Sequence, residues 1–175
     1  MTDIDNKLSI GTSDIILNVG CGTGIVEEGL KVDFLVSIDF ARSMLEHRSI
    51  KNGTQSDATY LPFRDEVFDK ICVYSVIQYV SKTALSRMIK ELSRCLKKGG
   101  RCLIGDIEPE SSQFRTKVRR SLGHIVLQKH FEYHSLKWIC GEFKKLGVDS
   151  IVLDQSSALP FAKSRKDILL TRIAN

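Results

Sequence analysis

Ile15-Ile-Leu-Asn-Val-Gly-Cys-Gly-Thr-Gly24 decides how this chain of 175 residues is read. Four of its first five residues are apolar, with β-branched members, as in a strand buried on both faces. Three glycines then alternate with small residues before Ile25. Glycine at 20, 22 and 24 permits positive φ and lets a ligand approach the main chain without meeting a Cβ. The free N–H groups of such a loop open whatever helical turn follows. The stretch is a strand running into a loop built to hold something.

Spacing narrows what is held. The dinucleotide fingerprint G-x-G-x-x-G wants its third glycine at position 25, where this chain has Ile25, so a nicotinamide cofactor is disfavoured. Val36-Ser-Ile-Asp-Phe40 reads as a second short strand ending in a carboxylate, placed to accept hydrogen bonds from a ribose diol.

Further motifs follow in order: Ser37-Ile-Asp-Phe-Ala-Arg-Ser-Met-Leu45, Ser56-Asp-Ala-Thr-Tyr-Leu-Pro-Phe63, Phe68-Asp-Lys-Ile-Cys-Val-Tyr-Ser-Val-Ile-Gln-Tyr-Val80 and Leu96-Lys-Lys-Gly-Gly-Arg-Cys-Leu-Ile104. With Asn18 to Gly24 they make five motifs, and in that order and spacing the chain resembles the class I S-adenosylmethionine-dependent methyltransferases of the small type-11 kind. The resemblance implies an α/β, Rossmann-like fold. Its sheet has seven mostly parallel strands in the order 3-2-1-4-5-7-6, strand 7 antiparallel, with helices on both faces. It also implies S-adenosyl-L-methionine as methyl donor and S-adenosyl-L-homocysteine as product. A single domain over 1–175 is expected, with a cofactor half at about 15–106 and an acceptor segment at about 108–135.

Carried over position by position, the resemblance puts Gly20, Cys21 and Gly22 against the methionine and ribose parts of the cofactor. It puts Asp39 on the ribose hydroxyls, Phe40 on the adenine, Asp57 on the adenine amino group with Ala58 adjacent, and Ser75 beside the donor. Asp39 and Asp57 can also be read as turn or cap carboxylates. Asn18 stands where family members commonly carry an acid. Its amide oxygen can accept a hydrogen bond from the cofactor's ammonium, but without charge assistance. On that reading, Asn18→Asp should tighten cofactor binding.

The general base is less legible. Gln78 occupies a position where many relatives have histidine, and an amide takes no proton at neutral pH. Candidates are Tyr79, His124, His130 and His134, each histidine being equally readable as a surface or packing residue. His47 lies on a helix behind the cofactor.

Composition bounds the rest. A hydrophobic fraction of 42% describes a globular chain with enough residues for a real core. No apolar run approaches the ~20 residues that span a bilayer, and the polar start lacks a signal-peptide core, so a cytoplasmic protein is expected. The five cysteines, Cys21, Cys72, Cys95, Cys102 and Cys140, form no C-x-x-C pair and read as small core residues, with no metal site.

Net charge is +5, and between Ser111 and Lys145 eight basic residues face two acidic ones. That segment is a solvated helical face, an acceptor site for an anionic or sugar-type small molecule through Arg115, Arg119 or Arg120, or, least in keeping with its few aromatics, a nucleic-acid surface. The leading reading is methyl transfer to an oxygen of a small acceptor. A cofactor-binding protein without turnover, or a subunit needing a partner, is the rival.

Local patterns predict the remaining elements. The first 13 residues leave room for scarcely one helix, Gly24 to Leu30 for two helical turns, and Phe40 to Ser49 for a helix with Met44 and Leu45 inward. Gly53 to Ser56 is a poor strand suited to an edge. Ser81 caps a helix carrying Leu85, Met88, Ile89, Leu92 and Leu96, which Gly99-Gly100 should end. Arg101 to Ile107 is a strand. Phe114, Val118, Leu122 and Ile125 have helical spacing. Ser135 should cap a helix burying Leu136, Ile139, Cys140, Phe143 and Leu146, before two last strands at Val148 to Leu153 and Asp167 to Ile173.

Overall fold

The computed structural model describes residues 3–30, 32–48, 53–107, 132, 134–154 and 165–174. Seven strands, β1 (Ile15–Val19), β2 (Phe34–Asp39), β3 (Gly53–Gln55), β4 (Phe68–Tyr74), β5 (Leu96–Ile107), β6 (Val148–Asp154) and β7 (Arg165–Arg172), form one sheet in the order β3-β2-β1-β4-β5-β7-β6. The ladders joining β1 to β5 are parallel, and β7 runs antiparallel to both its neighbours. This is the order and direction of pairing that the resemblance implies, and the short polar β3 takes the edge.

Side chains alternate between the faces with the two-residue period of a strand. On one face Leu17, Val19, Ile71, Val73, Cys102, Ile104, Ile168 and Leu170 meet α3 (Lys82–Cys95) and α4 (Leu136–Lys144) in the main core. On the other, Cys72 and Leu103 pack with Leu8 of α1 (Asp3–Leu8), flanked by Ile4, Ile10, Val26 and Tyr74. α3 is held where the sequence puts it: Ser81 Oγ accepts from the Ala84 N–H at 3.3 Å, and Leu85, Met88, Ile89 and Leu92 are 0–1% exposed. Each such side chain contributes roughly 1.5–3 kcal/mol of burial.

Several local expectations are corrected. Between Gly24 and Leu30 only a short 3-10 turn forms, Glu27–Gly29. α2 (Arg42–Glu46) is brief and buries nothing fully; Met44 is exposed rather than inward. α3 ends at Cys95, with Leu96 already extended, and Gly99-Gly100 fall inside β5, where the register against β4 shifts between Phe68 and Lys70. The glycines sit in this irregularity, and position 100 needs one, because a Cβ there would lie 2.8 Å from the Lys97 carbonyl oxygen and 3.0 Å from that of Asp69. In α4 Ile139 and Phe143 are buried but Leu146 is exposed, and the Ser135 hydroxyl makes no cap. The helical spacing from Phe114 to Ile125 lies outside the described residues.

Candidate functional site

Parallel strands leave their carboxyl ends on one side of the sheet, and ligands in such folds bind where the strand order reverses. Here β1 and β4 meet at that point, and a cavity of about 1150 Å³ opens over their ends. That exceeds the ~300–1,000 Å³ common for a single small ligand.

The glycine loop is its floor. The N–H groups of Gly20 and Cys21 both donate to the Ile38 carbonyl, at 2.8 and 3.0 Å, so the loop folds back over the end of β2. Gly20 and Gly22 have φ of +67° and +53°. A Cβ at Gly20 would sit 2.2 Å from Val76 Cγ2, whereas at Gly22 it would meet no protein atom within 4 Å. Glycine at 20 is therefore demanded by packing, and at 22 it keeps the main chain bare towards the cavity.

Asp39 ties this loop to the next segment. Its two carboxylate oxygens accept from the N–H groups of Gly22 and Ala41, each at 2.8 Å. Each oxygen keeps a further lone pair for a ligand hydroxyl. Asp57 accepts from the Thr59 N–H at 2.8 Å, so it shapes a turn and also faces the cavity. Phe40 lies on the wall and is 72% exposed, left open towards a ligand. Ser75 closes β4 in the left-handed region, φ +57°, with its N–H donating to the Gly105 carbonyl at 2.8 Å. A non-glycine residue held there is strained, and such strain clusters at ligand sites.

Eight of the nine residues assigned to the cofactor by sequence, Gly20, Cys21, Gly22, Asp39, Phe40, Asp57, Ala58 and Ser75, thus line one cavity, together with Tyr79. Asn18 does not. It is 1% exposed and its amide Nδ2 donates to Glu27 at 2.9 Å. His134 is also off the wall: its Nε2–H donates to the Val80 carbonyl at 2.7 Å, and its ring lies 6.1 Å from that of Trp138. His124 and His130 fall outside the described residues. His47 is bonded to the Ser43 carbonyl.

Tyr74, Val76 and Arg87 also line the cavity, and sequence reasoning did not single them out. Tyr74 belongs to a buried network on the α1 face. Its hydroxyl donates to Asp167, 3.0 Å from each carboxylate oxygen, and Asp167 also takes the Lys7 ammonium at 2.6 Å. Burial first, then the Asp167 charge, push the phenol's pKa well above its ordinary value. Burial likewise raises the Cys21 thiol to about 11, which leaves it a packing group rather than a nucleophile at neutral pH.

Comparison with known proteins then fixes the family. Residues 17–104 match the family model described as a methyltransferase domain. The chain belongs to the class I S-adenosylmethionine-dependent methyltransferases. S-adenosylmethionine is accordingly its co-substrate. A demethylmenaquinone methyltransferase of Mycobacterium marinum is 31% identical over 122 residues, covering 67% of this chain and 52% of the relative. An uncharacterized protein of Methanocaldococcus jannaschii is 28% identical over 146 residues, 80% of this chain and 67% of that one. This methyltransferase thus spans about half the length of the demethylmenaquinone methyltransferases it matches. The crystal structure of an S-adenosylmethionine-dependent methyltransferase from Thermotoga maritima shares the fold at TM-score 0.70 and 21% identity, covering 94% of this chain and 84% of that one. No helix among the described residues is long and apolar enough to cross a membrane.

Proposed function

We propose that this methyltransferase transfers a methyl group to an oxygen of a small acceptor of anionic or sugar type. The reading is supported by the convergence on one cavity of eight residues that the resemblance assigns to the cofactor, with room beside them for a second small molecule. S-adenosylmethionine, when bound, supplies a methyl group on a sulfonium that is already a good leaving group. The chain's part is then to bind, orient and exclude water. The backbone of Gly20, Cys21 and Gly22 holds the methionine and ribose parts, Asp39 accepts from the ribose hydroxyls, Phe40 covers the adenine, and Asp57 beside Ala58 accepts from its amino group. Ser75 and Tyr79 bring hydroxyls to the wall. Arg87, on the same wall, has no ion-pair partner among the described residues, which suits it to an anionic group.

One observation favours the rival, a cofactor-binding protein without turnover: among the described residues no histidine lines the cavity. Methyl-labelled S-adenosylmethionine, offered with paired phosphorylated and neutral sugars and phenols, separates the two. Label is expected in the anionic acceptors, and Arg87→Ala should raise KM for them about tenfold while leaving the neutral ones unchanged. Tight cofactor binding with no transfer to any acceptor would favour the rival.

A further inference from the structure

Below the glycine loop, and outside the cavity wall, three polar side chains are shut away from water. Asn18 is 1% exposed, and the side chains of Glu27 and Arg48 are each 1% exposed. One Glu27 oxygen accepts from the Asn18 amide, and the other from the Arg48 guanidinium. Asn18 and Glu27 bracket the loop, and Arg48 arrives from the far end of α2. A Cβ at Gly24 would lie 3.7 Å from its guanidinium, and one at Gly53 would lie 3.2 Å from its Nε. At Gly24 that is ordinary contact, whereas at Gly53, where a Cβ would also come 2.6 Å from Leu45 Cδ2, glycine leaves the arginine its room.

We infer that Asn18, Glu27 and Arg48 are positioning residues that lock the glycine loop in its cofactor-binding shape, Glu27 carrying the carboxylate and position 18 serving as its neutral donor. The inference rests on the cofactor reading of the cavity. Its chemistry is that of donors and acceptors. An ionised carboxylate only accepts, an arginine only donates, and an amide does both, so asparagine is the member that completes the set. The triad holds one negative and one positive charge. An aspartate at position 18 would place a second acceptor 2.9 Å from the first, and a second buried negative charge beside one arginine. In this chain the buried carboxylate is carried by Glu27, and adding an acid at position 18 should harm the site.

The test is calorimetric binding of S-adenosylhomocysteine, with thermal melting of the unliganded protein beside it, for wild type, Asn18→Asp, and Asn18→Asp with Glu27→Gln. Wild type is expected to bind. Asn18→Asp should bind at least about tenfold more weakly at pH 8 and recover as pH falls, because the paired carboxyls can then share a proton. Among the described residues, the charged and titratable groups around that pair include Arg48, Cys21, Asp39 and, on the neighbouring strand, Cys72. In the double variant the new amide at position 27 donates to the carboxylate at position 18 and accepts from Arg48. Affinity should then return to within about threefold of wild type and lose its pH dependence.

Unchanged or tighter binding by Asn18→Asp would overturn the lock. So would a double variant that melts like wild type yet binds as weakly as the single one. If Asn18→Asp does not fold, the double variant decides alone: restored folding and binding support the lock, and loss of binding overturns it. Failure of wild type to bind would instead remove the cofactor reading and the lock with it.

Discussion

Among the described residues, two buried triads flank the cavity on the same face of the sheet, each centred on a carboxylate. Glu27 takes a cation, Arg48, and a neutral donor, Asn18; Asp167 likewise takes a cation, Lys7, and a neutral donor, Tyr74. They differ in reach and in access to water. The first joins residues 9 and 21 positions apart and is sealed, while the second joins residues 93 and 160 apart and leaves the Lys7 side chain 13% exposed, where it also pairs with Asp3 at 2.6 Å. The local triad shapes one loop. The long-range one binds the first helix and the last strand to the wall of the site.

The largest expected effect breaks the sealed triad. Arg48→Met should cost about 3–5 kcal/mol in urea unfolding, because it leaves the Glu27 carboxylate buried without its cation. A loss below about 1 kcal/mol would mean that water reaches Glu27, and the contrast between sealed and open would go. Tyr74→Phe should cost less, about 1.5–3 kcal/mol, since it removes a neutral donor from a charged acceptor that keeps Lys7. The two losses coming out equal would show that losing its cation costs a buried carboxylate no more than losing a neutral donor. Asp3→Asn should cost the least, about 0.3–0.5 kcal/mol, and the difference should vanish in high salt. A salt-independent loss would place that pair inside the network rather than at its rim.

Much of this was legible in the sequence where a local pattern has a single structural outcome. The apolar run and glycines from Ile15 to Gly24 specify a strand and an exposed main chain, and the apolar spacing from Leu85 to Leu92 specifies the buried face of α3. The resemblance supplied the strand order and eight wall residues. Gly99-Gly100 misled because a glycine pair after a helix can equally be a bulge, and only the approach of Lys97 and Asp69 decides between them. Leu146 misled because its helix stops at Lys144, so the apolar period outruns the helix. Glu27 left one faint signal, an acid just past a loop whose expected acid was missing. Asp167 left none, since the sheet register brings it beside Tyr74 and the docking of α1 brings it Lys7.

That register carries a further consequence. Tyr74, Gly105 and Asp167 stand side by side on β4, β5 and β7, and the tyrosine reaches the aspartate by lying across the glycine between them. A Cβ at Gly105 would sit 2.5 Å from the ring, so a side chain at 105 and the ring in its present place exclude each other. In evolutionary terms the three positions are epistatic and their order of change is constrained. The ring at 74 must swing aside or go first, and either change takes its hydroxyl from the carboxylate at 167. A lineage that fills position 105 therefore gives up this tyrosine's hydrogen bond to the charge at 167.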